Sequence, residues 1–389
     1  MRKTTLKLSI IAVAASLTLT ACGTAGSPAP ASSLPTELGA AEGTVSLLGW
    51  PGYAEDGSND PAVDWVTPFE KATGCDVTFK AYGTSDEAVS LFKSGDYDVI
   101  AASGDATLRL IASGAVTELN TDLIPSYADV YPFLKGKAWN TVDGKVYGVP
   151  HGYGANLLMY KKDVVTPEPT SWDVVFDKAS AYKGKVTAYD SPIYIADAAV
   201  YLMAHKPELG ITNPYALDET QLQAAVDLLK AQRVNVGEYW SDYLKEIQAF
   251  ETGDSVVGTT WQVIVNSMSA KANVGSVLPS EGATGWSDSW MISSTAKSPN
   301  CAYMWLDYID QPKANAAATE YFGEAPATAK ACDFMASESS CTSYHAGDEE
   351  YASKIWYWTT PIANCLDGRT DVQCTDYARW TQAWQEIKG

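Results

Sequence analysis

Histidine is rare in this chain of 389 residues: His151, His205 and His345 are the only three, and they are scattered. An H-E-x-x-H zinc site is therefore excluded, and no histidine stands in a recognisable supporting place for a serine or cysteine nucleophile. The turn Ser103-Gly104-Asp105, which follows a short apolar run, has no such partner. Walker loops, G-x-G-x-x-G turns, G-x-S-x-G elbows and C-x-x-C pairs are also missing, which removes the usual phosphate, dinucleotide, hydrolase and zinc-ribbon readings. Arginine is nearly as scarce, with Arg109, Arg233, Arg369 and Arg379 beyond Arg2, none beside the motifs described below. An anion-binding cleft would want one there. Basic residues are outnumbered, 27 Lys and Arg against 47 Asp and Glu, for a net charge of −20. Such a surface repels nucleic acid and favours cationic solutes. There is no internal repeat, so a solenoid or propeller is not expected.

No apolar run is long enough to span a bilayer; the longest, Leu8 to Leu19, follows Arg2, Lys3 and Lys7 and leads into Leu19-Thr20-Ala21-Cys22. A positive flank, a short apolar stretch and small residues before one cysteine form a lipoprotein export signal. Residues 1–21 are expected to be removed and Cys22 to become the lipidated terminus. The small uncharged stretch Gly23 to Ser33 opens a flexible tether over 22–43, so the folded body is expected outside the cell, held to the membrane by lipid. In that oxidising space the six remaining cysteines read as three disulfides. Cys332 with Cys341 and Cys365 with Cys374 each close a short loop, which leaves Cys75 for Cys301.

Short β-branched runs alternate with amphipathic stretches, the pattern of an α/β architecture. Strands are expected at Thr44–Gly49, Cys75–Ala81, Asp98–Ala102, Val186–Tyr189 and Ser255–Thr260, with helices at Pro61–Thr73, Asp86–Ser94, Glu219–Gln232 and Cys301–Asp310. The extended stretch from Lys145 through Pro150 to Tyr160 reads as a crossover between two lobes, and Val274–Leu278 as the start of the return. Lobe 1 is expected over 44–150 and 284–318, lobe 2 over 151–283 and 319–389, with the aromatic tail as a brace that brings Trp356 and Trp358 toward the cleft. Trp172, Trp305 and Trp380 are expected to be core residues.

Aromatic residues recur at strand ends, where the cleft of an α/β sheet lies. Trp50 follows the first strand, with Tyr53 three residues on; Trp261 follows another; Trp286 and Asp288 lie in Gly285-Trp286-Ser287-Asp288-Ser289-Trp290. Indole faces attract ammonium groups and a carboxylate adds a charge-assisted hydrogen bond, so this grouping suits an alkylammonium ligand. The same tryptophans would stack on sugars, and a glycan-acting enzyme using paired carboxylates has no fixed spacing by which to exclude it.

Several of these motifs occur in one collinear order: Leu48-Gly49-Trp50-Pro51-Gly52-Tyr53, Phe69 to Gly74, Gly95-Asp96-Tyr97-Asp98-Val99, Thr170-Ser171-Trp172 and Gly285 to Asp288. In this the chain resembles the spermidine/putrescine-type binding lipoproteins of ABC importers, from the first strand to about Asp333. The resemblance implies a two-lobe periplasmic-binding-protein clamshell of type II kind, no catalytic residue, no cofactor and no metal. It also implies a monomer that delivers a polyamine or similar cationic amine to a membrane permease. On it, Trp50 and Tyr53 wall the cleft from one lobe, Ser103 and Asp105 lie at a strand tip, Trp261 and Trp286 stack along the ligand, Asp288 binds an amine, and Asp190 supplies a second-lobe acid. Two departures stand out. Tyr194 takes the region of a second acid and offers only a hydroxyl, while Phe322-Gly323-Glu324-Ala325-Pro326 puts Glu324 where an aromatic is usual. Glu324 is then expected to restore the lost charge from another wall.

Overall fold

The computed structural model describes residues 34–269 and 272–389. The expected export signal, Cys22 and the start of the expected tether lie outside these residues.

Two sheets organise the chain as a two-lobe clamshell. In the first, strand Thr44–Gly49 lies between the parallel strands Asp76–Ala81 and Val99–Ala102, and the sheet continues through Ser289–Ile292 to Val149–Pro150. Ser289–Ile292 runs antiparallel to both of its neighbours. Helices Val66–Thr73, Ser85–Phe92, Gly104–Ala112 and Pro299–Ile309 accompany this sheet. Their apolar faces enclose a core with Phe69, Trp290 and Trp305 at its centre. The second sheet is built on the long strand Gly152–Lys161, flanked by Ala283–Trp286 on one side and Val257–Trp261 on the other. Beyond Val257–Trp261 come Val186–Tyr189 and Val236–Trp240, and beyond Ala283–Trp286 comes Ile355–Tyr357. Helices Ile195–His205, Glu219–Arg233 and Tyr377–Lys388 pack over it, with Trp172, Trp240 and Trp380 in the second core.

Local chemistry accounts for the helix ends. Thr84 accepts from the Glu87 N–H at the start of one helix, and Asp218 and Gln221 form a reciprocal capping box at another. Gly74 closes the first helix at φ 74°, a left-handed turn that suits glycine. That helix begins at Val66 rather than at Pro61. The Glu55 carbonyl accepts from both the Trp65 and Val66 N–H groups, and Asp56 bridges to Asp64, so residues 56–64 form a loop.

The chain passes between the sheets at two adjacent places, from Pro150 to Gly152 and from Trp286 to Ser289, and a third time through helix Pro312–Phe322 to Ala325–Pro326, which pairs with Gly152–Lys161. The return therefore falls at Ser287 and Asp288, later than a boundary at 284. Val274–Val277 does not cross; it pairs antiparallel with Gly152–Lys161 inside the second sheet. Cys75–Cys301, Cys332–Cys341 and Cys365–Cys374 are the three disulfides, and the first ties helix Pro299–Ile309 to the chain just ahead of strand Asp76–Ala81. Among the described residues no helix is long and apolar enough to cross a membrane.

Candidate functional site

Strand ends from both sheets converge on a small cavity lined by Trp50, Tyr53, Ser103, Trp261, Trp286, Asp288, Phe322 and Trp358. Six of these are aromatic and one is acidic, and no cationic side chain joins them. The turn Trp50-Pro51-Gly52-Tyr53, closed by the Tyr53 N–H donating to the Trp50 carbonyl, places both rings from the first lobe. Gly52 has φ 89°, and Tyr321 and Phe322 press on it. The Trp50 Nε1 donates to Ser103 Oγ at 3.1 Å, and Ser103 is the residue from which helix Gly104–Ala112 starts.

From the second lobe come Trp261 and Trp286, each the last residue of its strand, with rings 5.9 Å apart and steeply inclined. Gly154 faces Trp286 so closely that a Cβ there would stand 2.3 Å from the ring. Phe322, at the end of helix Pro312–Phe322, meets Tyr53 edge to face at 4.8 Å. Trp358 stacks on Tyr189, with ring centroids 5.7 Å apart and an interplanar angle of 10°. The space left between these walls is about 20 Å³, roughly the room one water needs.

Asp288 is 1 % exposed and lies in the crossing segment between the sheets. Its Oδ2 accepts from the Tyr53 hydroxyl at 2.9 Å, while its Oδ1 has no hydrogen-bond partner among the described residues. Burial pushes its pKa up to about 7, against the pull of the Ser103, Tyr53 and Trp50 donors around it, and the nearby Asp105 adds to the rise.

Behind Trp286 lies a second buried group. The Trp286 Nε1 donates to Glu324 Oε2 at 2.7 Å, and Glu324 Oε1 stands 3.6 Å from His151 Nε2. Because the Trp290 Nε1 donates to His151 Nδ1, the histidine proton belongs on Nε2, facing Glu324. Burial holds the His151 pKa down at about 3 and raises that of Glu324 well above the usual carboxylate range, with Asp288 adding to the latter.

Of the sequence-predicted residues, Trp50, Tyr53, Ser103, Trp261, Trp286 and Asp288 line the cavity. The other four stand elsewhere. Asp105 is buried in the first turn of its helix, where its Oδ1 accepts from Ser85 Oγ at 2.9 Å. Asp190 accepts from the Trp384 Nε1 and from Lys388 Nζ at 2.6 Å, so the C-terminal helix, not the cleft, takes its charge. Tyr194 lies in the second core with its hydroxyl accepting from Gln232 Nε2. Glu324 is not a wall of the cavity; it holds Trp286 from behind.

Phe322 and Trp358 complete the ring; Phe322 was not an expected site residue, whereas Trp358 was expected toward the cleft together with Trp356, which does not line the cavity. Phe322 carried no sequence signal beyond its place just before Gly323. Trp358 belongs to the aromatic tail already read as approaching the cleft.

A profile of bacterial extracellular solute-binding proteins matches residues 64–340. The putrescine/cadaverine-binding protein of Pseudomonas aeruginosa is 26 % identical over 323 residues, covering 77 % of this chain and 85 % of that protein. The putrescine-binding periplasmic protein PotF of Escherichia coli is 24 % identical over 320 residues, covering 77 % and 82 %. Among solved structures, the spermidine/putrescine ABC transporter substrate-binding protein PotD of Streptococcus pneumoniae superposes with a TM-score of 0.69 at 18 % identity, over 89 % of this chain and 97 % of its own. The convergence of both sheets on one cavity fits these matches, and the chain belongs to the bacterial extracellular solute-binding proteins, a family of transporter binding components and not of enzymes.

Proposed function

We propose that the protein captures a cationic amine of the polyamine class in the aromatic cavity between its sheets and delivers it to an ABC permease. In this reading it works as a monomer held at the outer face of the membrane by lipid on Cys22. The observation that carries the reading is Asp288. A carboxyl buried among six rings, with one oxygen unpartnered among the described residues, is costly to ionise alone. An ammonium placed against it repays that cost through a charge-assisted hydrogen bond, and the surrounding indoles add cation–π attraction. The relatives whose names include putrescine binding support the same ligand class.

A cavity of about 20 Å³ does not admit an alkyl diamine, so entry requires the walls to part. Lobe 1 supplies Trp50, Tyr53 and Ser103; lobe 2 supplies Trp261, Trp286 and Trp358. The crossings at His151 and at Ser287–Asp288, with the third passage through helix Pro312–Phe322, are the places where a hinge rotation would act. The ligand bridges the half-sites, and the closed form is what the permease engages. No bond is made or broken in this cycle.

Calorimetric titration with putrescine, cadaverine and spermidine tests the reading, run beside glucose and maltose at low and high salt. Amine binding that weakens with ionic strength is expected. Silence from every amine, with a sugar binding independently of salt, would replace the reading by a carbohydrate one.

A further inference from the structure

We infer that the ligand of this cavity carries an oxygen acceptor (hydroxyl, carbonyl or carboxylate) in addition to its ammonium group, and that Trp358 donates its indole N–H to it. The inference rests on the amine reading above and narrows it. Trp358 lies past residue 340, where the match to the family profile ends.

Its backbone is fastened to both lobes. The Trp358 N–H donates to the Gly285 carbonyl at 2.7 Å, and the Trp358 carbonyl stands against Gly104, where a Cβ would come within 1.6 Å of it. Two residues on, the Thr360 N–H and hydroxyl donate to the Gly104 carbonyl at 3.0 and 3.1 Å, and the hydroxyl also reaches the Asp105 carbonyl at 2.8 Å. With its ring stacked on Tyr189 as well, Trp358 has little freedom to turn toward another acceptor.

Nevertheless its Nε1 is buried without a hydrogen-bond partner among the described residues. Two neighbouring indoles of the cavity differ: Trp50 donates to Ser103 and Trp286 to Glu324. On the residues that line the cavity, two buried polar atoms are left without a partner among the described residues: an acceptor, Asp288 Oδ1, and a donor, Trp358 Nε1. An alkyl diamine answers only the first, because an ammonium has hydrogens and no lone pair. It would leave a buried indole N–H dry, and an unmade buried hydrogen bond is expensive. An amino alcohol, an acylated amine or an amino acid with a separated amine answers both.

The test is calorimetry on the exported chain with two probe series of matched length, linear monoalkylamines and the corresponding ω-amino alcohols of two to five carbons. At least one amino alcohol is expected to bind about tenfold more tightly than its alkylamine, the order of one buried hydrogen bond. Trp358→Phe, which keeps an aromatic ring and removes the N–H, is expected to bring that ratio toward one. Ratios within about threefold throughout the wild-type series, or a ratio kept in the variant, would overturn the inference while leaving the amine reading standing. If neither series binds and a neutral sugar does, both fall together. The wild-type comparison decides even if the variant folds poorly.

Discussion

His151 and Asp288 are joined across the two crossings by the His151 N–H donating to the Asp288 carbonyl at 2.8 Å. The residue that offers the cavity its acid therefore belongs to the same short passage as a neighbouring link between the sheets. On the proposed amine reading, a charge placed at this passage would sense closure directly, since a rotation that parts the walls would also rehydrate the carboxyl.

Asp288→Asn removes that charge with almost no change of shape. Amine affinity is expected to fall at least about a hundredfold, since breaking a buried charge pair costs roughly 3–5 kcal/mol. Calorimetry against Asp64→Asn, an exposed acid that accepts from the Thr67 N–H, is the comparison. Equal losses in the two variants would dissociate Asp288 from the ligand.

Asp288 and Asp197 have pKa values raised by burial to about 7, and Asp105 to about 6, all from an ordinary value of 3.8. The folded protein therefore holds these protons more tightly than the unfolded chain does. Their contribution to stability is complete below about pH 4 and is lost as pH climbs to about 7. The melting temperature of the ligand-free protein is expected to fall between pH 4.5 and 7.5, measured by scanning calorimetry. Amine binding should run the other way, strengthening over the same interval as Asp288 ionises and releasing a proton below pH 7.

Glu324 distinguishes a positioning role from a charge acting directly on the ligand. Glu324→Gln keeps an acceptor for the Trp286 indole and should change amine affinity less than about threefold. Glu324→Ala leaves that buried N–H unmade, at about 1–3 kcal/mol, and should weaken binding through a displaced ring. Titrating both variants with one diamine decides the matter; a large loss in Gln as well as Ala would mark Glu324 as a counter-ion of the ligand.

Gly104→Ala sets a methyl group into the Trp358 carbonyl, and backbone cannot yield as a flexible side chain can. The tail should be pushed from helix Gly104–Ala112, with a more open particle by small-angle scattering and at least a tenfold loss of affinity. An unchanged scattering profile and affinity would show that this contact does not hold the lobes together.

Reduction of Cys75–Cys301 releases a loop spanning a sequence separation of 226 residues. A Cys75→Ala, Cys301→Ala double variant is expected to lose about 2–5 kcal/mol of stability, read from chemical denaturation, with amine affinity retained because neither residue lines the cavity.

Much of this was legible in one dimension. Strand and helix positions follow from hydrophobic period and from caps such as Asp218, Gly74 and Thr84, interactions that span a few residues. Two disulfides close loops short enough to read from spacing, and they leave the third pair by elimination. Trp50, Trp261 and Trp286 could be placed at the cleft because the sheet architecture gathers strand ends there. Which acids reach the cavity was a matter for tertiary structure alone. Asp190 and Asp288 each follow a strand and look alike in sequence. One is neutralised by Lys388, 198 positions away, and the other is enclosed by rings from both lobes. Trp358 and Glu324 were likewise assigned by packing, Trp358 as a wall and Glu324 as the support behind one. Periodicity reports which face of an element is buried; only the folded chain decides which groups meet there and whether their charges and hydrogen bonds are already answered.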